Sequence, residues 1–312
     1  MQVAGLRRAA VSTATVSRPR RRPQQSLLAL LFLAPSLAVF GLFTFWPLLR
    51  SISLSFYAND IVGRPTIFVG LAQYQQMFSS PALRDTLVTT ALYTVMTVFA
   101  SIVLGLLLAL LLQARIAGIG IFRTLLATPF AFSVATASVV FAVFFNPGVG
   151  IFNGFLYYFH LAPVGWLTNP STALPSIVVT SVWLQLGYNV LVLSAGLQAI
   201  PEEVYEAAKL DGARGMSLAR FVTLPLLTPS LFFLLVVTTI LSLQSFGQIH
   251  ILTRGGPAGS TTTLVYSLYL NAFAFGSSNF GLASAQALVL FLIVVVITGL
   301  QFGVLERRVF YR

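Results

Sequence analysis

Residues 27–49 read LLALLFLAPSLAVFGLFTFWPLL, a run without a charged side chain that ends at Arg50. A helix rises 1.5 Å per residue, so about 20 apolar residues cross the ~30 Å hydrocarbon core of a bilayer. This run is long enough to cross, and it has no polar face to turn toward water. The whole chain has the same character: 57% of its 312 residues are hydrophobic, 8% are charged and the mean hydropathy is +0.90. Too little polar surface remains for a water-soluble globule, which places the chain in a membrane.

Charges mark the ends of further runs, because a charge at the bilayer centre costs about 2.5 kcal/mol or more. A second span is expected over 86–113, with Arg115 and Arg123 bracketing the turn that follows. No residue from Thr124 to Pro201 is charged, a length too great for one helix. NPGVG at 146–150 and APVGWLTNPST at 162–172 divide it, since clustered Pro, Gly and Asn break helices. Spans are therefore expected over 124–145 and 174–197, then over 221–246 and 282–305. TTTLVYSLYLNAFAFG at 261–276 is apolar for only about 13 residues and reads as a helix lying at the interface. The expected fold is an all-α integral membrane protein with six transmembrane helices. A basic tail at 1–26 precedes the membrane domain of 27–305, and a short tail at 306–312 follows it.

Basic residues stay on the cytoplasmic side. With six spans, one side collects both tails, Arg115, Arg123, Lys209, Arg214 and Arg220, which is 14 basic residues against 4 on the other. Both termini are thus expected in the cytoplasm. The net charge of +11 requires no nucleic acid, and RPRRRP at 18–23 reads as a topology signal that also suits anionic lipid. The apolar stretch after it exceeds a signal-peptide core of about 7–15 residues and lacks a small-x-small site, so it reads as an uncleaved first span.

Catalytic chemistry has few candidates. There is no cysteine, and the two histidines, His160 and His250, fall in or beside outside loops and read as solvated or interfacial. GVGIFNG at 148–154 lacks dinucleotide spacing, and no GxxxxGK[ST] occurs. The spans carry no charged residue or histidine near their centres, where ion-coupled pumps hold such groups. The chain is read as non-enzymatic, with no bound cofactor or metal, and any energy for transport enters from outside the membrane core.

One polar island stands apart. EEVYEAAKLDGARGMSLARFVTLPLLTP at 202–229 holds four of the seven acidic residues. Pro201 suits the first turn of a helix, with Glu202 and Glu203 following where the helix dipole favours negative charge. Val204, Ala207 and Ala208 lie three and four residues apart, as do Tyr205 and Lys209, giving a small-residue face. Gly212 is placed to end that helix, and a second short helix over 216–222 leads into the fifth span. The result is a cytoplasmic elbow over 200–220, between spans four and five.

EAAKLDGARGMSLARFVTLPLLTP resembles the EAA loop of the permease subunits of bacterial ABC importers. Glu206-Ala207-Ala208, Asp211-Gly212-Ala213 and Leu224-Pro225 are in register, with Val222 where an isoleucine is usual. WPLLRSISLSF at 46–56, GLQAIPEEV at 196–204 and LTRGGPAGSTTTLVYSLYLNAF at 252–273 extend the resemblance to carbohydrate-uptake permeases. GLQFGVLERRVFY at 299–311 is similar to the subgroup that imports glycerol 3-phosphate and glycerophosphodiesters. The resemblance implies a coupling helix seated on a cytoplasmic ATPase, docked through Glu203, Glu206, Ala207, Ala208, Asp211, Gly212 and Ala213. It implies as partners two copies of that ATPase, which bind ATP and Mg, a second related permease, and an extracytoplasmic substrate-binding protein docking on outside loops that include 254–262. The setting implied is the bacterial inner membrane. A non-transport scaffold and a passive channel are the competing classes, and neither needs an ATPase dock.

Polar faces within the spans are candidate substrate contacts. Gln185, Tyr188 and Asn189 share a face of the fourth span, Gln244 and Gln248 share a face near the end of the fifth with Ser245 beside them, and Gln286 lies early in the sixth. Interhelical hydrogen bonding, worth about 0.6 kcal/mol on average, is the other reading of each. No Arg or Lys stands in this path, so a neutral polyol, a sugar, a phosphodiester, or a phosphate met by another subunit's cation all remain open.

Overall fold

A computed structural model of the chain describes residues 23–60, 63–113, 117–273 and 278–309. Residues 1–22 of the basic tail, Arg115 and Arg312 therefore lie outside the described residues. The chain divides into two compact units that part between Arg50 and Ser51.

The first unit is helical: α1 (Pro23–Phe40), a π turn at Gly41–Phe45 and the start of α2 (Trp46–Leu54). The π turn has a local cause. Pro47 has no N–H to offer, and just before it the Trp46 N–H reaches back to the Gly41 carbonyl instead of the usual fourth residue. Helical structure begins at Pro23, earlier than the expected start at 27.

The second unit opens on a small antiparallel hairpin, β1 (Tyr57–Asn59) with β2 (Pro65–Phe68), which hydropathy alone did not indicate. Then come α3 (Ala72–Ser79), α4 (Pro81–Leu111), α5 (Ile119–Ala127), a 3-10 turn at Thr128–Ala131, α6 (Val134–Phe144), α7 (Ile151–Tyr158) and α8 (Pro170–Gln198). After these lie α9 (Glu202–Leu210), α10 (Met216–Leu218), α11 (Leu224–Leu243), α12 (Gly247–Leu252), α13 (Leu264–Phe273) and α14 (Phe280–Leu300). Among the described residues five helices are long and apolar enough to cross a membrane, or six if a bent pair counts as one span.

That bent pair is where the structure departs from the expected span at 124–145. The segment Ile119–Ala131 meets Val134–Phe144 at 104°. Pro129 cannot donate to the helical ladder, and Phe132 and Ser133 take extended backbone with ψ of 139° and 149°. Ser133 Oγ then accepts the Thr136 N–H at 3.1 Å, capping α6. The α4 helix starts at Pro81 rather than 86 because Pro81 stands at its first position, so Arg84 and Asp85 fall within the helix.

The α8 helix is the most buried of the candidate spans, and it runs along α4. Ser101, Gly105 and Ala109 form a small-residue seam on α4, and a β-carbon at Gly105 would stand 2.9 Å from the β-carbon of Asn189. Such seams bring membrane helices close enough for dispersion to act without a hydrophobic drive. Beyond them Leu193, Leu197, Leu227 and Leu234 join α8 to α11, while Tyr93, Ile177, Phe141 and Ile249 form a second cluster. Among the described residues the polar island at 202–223 leads from α8 into α11, so any force on it acts on two packed helices.

Candidate functional site

Two interruptions lie side by side and leave a cleft of about 670 Å³. One is the bend at Phe130–Val134. The other is Gln244–Phe246, where α11 stops at Leu243 and α12 begins at Gly247, short of the expected span end at 246. Helices broken inside a membrane are tolerated where the freed backbone meets protein or lines a water-filled cavity. A β-carbon on Gly247 would come 2.7 Å from Val134 Cγ1, so the second break seats against the first.

Leu184, Gln185 and Tyr188 from α8, Val237 and Leu241 from α11, Gln244 and Ser245 from the second break, and Gln248 from α12 complete the lining. The Tyr188 ring stacks on Phe130 at 5.7 Å, and Phe132 meets Trp183 edge-on at 5.4 Å, giving aromatic walls. Gln185 Oε1 is buried without a partner among the described residues. Among the described residues no charged side chain lines this space. An amide offers both donors and an acceptor, so the cleft is suited to oxygen-rich, hydroxylated molecules gripped by neutral hydrogen bonds over an aromatic face.

The structure thus brings Gln185, Tyr188, Gln244, Ser245 and Gln248 to one cleft. Asn189 is elsewhere: it is 1% exposed and its Nδ2 donates to the Ser101 carbonyl of α4 at 3.2 Å. Gln286 is elsewhere too, with Nε2 on Ser267 Oγ at 3.1 Å and Oε1 accepting from Asn271 at 3.0 Å. Both join helix to helix. The one-turn shift from Gln185 to Asn189 is enough to move a side chain out of the cleft and into the seam.

The elbow is the second candidate surface. Its helix α9 starts after Pro201, which caps it from outside with extended backbone rather than occupying its first turn. Gly212 takes φ +87°, its N–H bonds the Lys209 carbonyl at 3.1 Å, and the Ala213 N–H bonds the Ala208 carbonyl at 2.9 Å. That pair of bonds is the Schellman closure, which favours glycine at the left-handed position. Val204, Tyr205 and Ala208 turn partly inward, whereas Glu203, Glu206, Ala207, Lys209, Asp211 and Gly212 are exposed. Ala207 therefore belongs to the acidic outer face, not to a packed face shared with Val204 and Ala208. Leu210 and Met216 stand 89% and 82% exposed beside it. The elbow thus presents exposed carboxylates beside bare apolar side chains.

The second short helix is only α10. A π turn at Ala219–Thr223 replaces its remainder, with the Leu224 N–H on the Ala219 carbonyl. The cause matches that at Trp46: Pro225 follows directly and has no N–H to offer. Beneath the elbow, Arg123 Nη2 donates to the Leu112 carbonyl at 2.9 Å, satisfying one of the free carbonyls at the end of α4.

His160 is exposed, but His250 is not simply solvated. It stacks on Phe246 at 5.1 Å and meets Tyr269 at 5.3 Å, with Nδ1 buried and without a described partner. Sequence reasoning also missed Phe130 and Phe132. Their signal was Pro129 inside an apolar run, whose effect on direction depends on what packs against it. Asn153 was missed as well: it bonds the backbone of Pro147 and Val164 and accepts from Trp166 Nε1 at 2.9 Å.

Residues 66–311 match the family described as binding-protein-dependent transport system inner membrane component. The chain is 38% identical to the sn-glycerol-3-phosphate transport system permease protein UgpA of Brucella abortus biovar 1 (strain 9-941), over 91% of this chain and 97% of that protein. It is 34% identical to the sulfoquinovosyl glycerol transport system permease protein SmoG of Agrobacterium fabrum (strain C58 / ATCC 33970), over 90% and 91%. Among solved structures, a chain of a bacterial alginate ABC transporter in complex with alginate pentasaccharide-bound periplasmic protein superposes with a TM-score of 0.78 at 20% identity. That match covers 91% of this chain and 96% of the other.

Proposed function

The chain belongs to the family of binding-protein-dependent transport system inner membrane components, and we propose that within it this chain helps import a glycerol phosphate or a related polyol or sugar by alternating access. It is a multi-pass inner-membrane permease. The cleft walled by Gln185, Tyr188, Gln244, Ser245 and Gln248 is the substrate path, and the acidic face of α9 is the ATPase dock. The observation that carries this reading is the pairing of the two sites on α8 and α11. Both helices line the cleft, and the elbow joins the C-terminal end of α8 to the N-terminal end of α11. A shift of the elbow moves both walls.

In this reading the partners are two copies of a cytoplasmic ATPase that bind ATP and Mg, a second related permease and an extracytoplasmic binding protein. The chain itself binds no cofactor and performs no bond chemistry, and both termini face the cytoplasm. Relatives named for sn-glycerol 3-phosphate and for sulfoquinovosyl glycerol support a glycerol-bearing anionic substrate. With no cation among the described residues of the cleft wall, this chain grips the oxygens through amide N–H groups, and a cation from the second permease would meet the charge.

The test is reconstitution of the four kinds of subunit in proteoliposomes. ATP turnover stimulated by sn-glycerol 3-phosphate with loaded binding protein is expected, together with ATP-dependent uptake. Flux without ATP would instead identify a passive channel, and absence of ATPase association would remove the importer reading.

A further inference from the structure

Tyr93 sits within α4 with its side chain fully buried, at 0% exposure, in the cluster that joins α4 to α8. Its hydroxyl lies 2.7 Å from Ser181 Oγ on α8 and 2.9 Å from Ser245 Oγ in the break between α11 and α12. Ser245 Oγ in turn lies 2.9 Å from Gln248 Oε1. One phenol outside the cleft is therefore tied through a single serine to an amide that lines it.

The direction of the relay follows from valence. Oε1 can only accept, so Ser245 gives its proton to Gln248. Ser245 then accepts from Tyr93, and Tyr93, its proton committed, accepts from Ser181. Ser181 Oγ donates to the Ile177 carbonyl at 2.9 Å and shares that one proton with the phenol oxygen when Tyr93 points at Ser245. Each hydroxyl donates once. The relay ends on Gln248 with Oε1 occupied, and Nε2, which bonds no described residue, is the end of the amide left for the cleft.

We propose that Tyr93 is a positioning residue for substrate specificity, holding the Gln248 amide through Ser245 so that its N–H groups serve the cleft. This rests on the reading of the cleft as the substrate site. Without the phenolic hydroxyl, Ser245 Oγ lacks a donor, and Gln248 Nε2 becomes that donor once the amide rotates. The rotation would turn Oε1 toward substrate oxygens and replace attraction by repulsion.

The experiment uses the complete complex in proteoliposomes with radiolabelled sn-glycerol 3-phosphate and saturating binding protein, so that binding-protein affinity does not set the readout. Tyr93→Phe keeps the ring and its packing. It is expected to lower substrate imported per ATP by roughly fivefold, the equivalent of one hydrogen bond worth about 1 kcal/mol, while ATP turnover is retained. Ser245→Ala is expected to give the same loss, and the double variant no further loss, because both cut one relay. An unchanged import ratio in Tyr93→Phe, or additive losses in the double variant, overturns the inference while leaving the substrate reading intact. If Tyr93→Phe does not assemble, an unchanged ratio in Ser245→Ala overturns it alone. Failure of the unaltered complex to import sn-glycerol 3-phosphate overturns the substrate reading and this inference together.

Discussion

A β-carbon on Gly187 would stand 2.7 Å from the carbonyl oxygen of Ala127, closer than real β-carbons approach. The contact lets the middle of α8 lie against the bend at 128–133, one residue away from Tyr188, which stacks on Phe130. The cleft has its shape because this position has no side chain. Gly187→Val should push the bend away and cost about 1–3 kcal/mol, as overpacking does. A lowered melting midpoint of the purified complex, with loss of uptake exceeding loss of assembly, is the expected result.

Gly212 makes a different demand. A β-carbon there meets nothing within 4 Å, so the chain's own packing tolerates a side chain, and only φ +87° favours glycine. Asn and Asp are the residues that best bear that region. Gly212→Asp should therefore insert with only a modestly lowered melting midpoint, from the strain at φ +87°, while failing to co-purify with the ATPase, because added bulk and charge meet the partner. Normal co-purification with stimulated ATP turnover would remove Gly212 from the docking surface.

Glutamines that line the cleft and those that join helices should separate by assay. Gln185→Leu and Gln244→Leu should reduce substrate imported per ATP with little change in melting. Gln286→Leu should do the reverse, losing roughly 0.6 kcal/mol for each helix-to-helix bond and leaving the import ratio unchanged.

Asn153 holds the loop that follows α6. Asn153→Ala leaves the Val164 N–H and the carbonyls of Pro147 and Val164 without their partner, and an unsatisfied buried group costs about 1–3 kcal/mol. Thermal unfolding should come earlier, and proteolysis should reach the 159–169 segment first. Asn153→Gln, too long for the same geometry, should not restore stability.

Hydropathy along the chain was enough to place it in a membrane and to mark most of its long helices, because an apolar run of spanning length has one stable setting in lipid whatever its neighbours. The elbow was equally legible, since charge is rare in this chain and Gly212 closes α9 through bonds local in sequence. What sequence did not reveal was direction. Pro129 announces an interruption, but the 104° turn is set by Gly187 and Gly247 admitting close approach from segments distant in sequence. Helical periodicity likewise put Gln185 and Asn189 on one face, and only packing against the small residues of α4 assigned the first to a cleft and the second to a seam. Tyr93 carried no signal at all: a tyrosine in an apolar helix becomes informative only when Ser181 and Ser245, 88 and 152 residues away, close around its hydroxyl. Local chemistry and the cost of burying charge determined where the chain lies, and long-range packing decided which of its few polar atoms face the cleft.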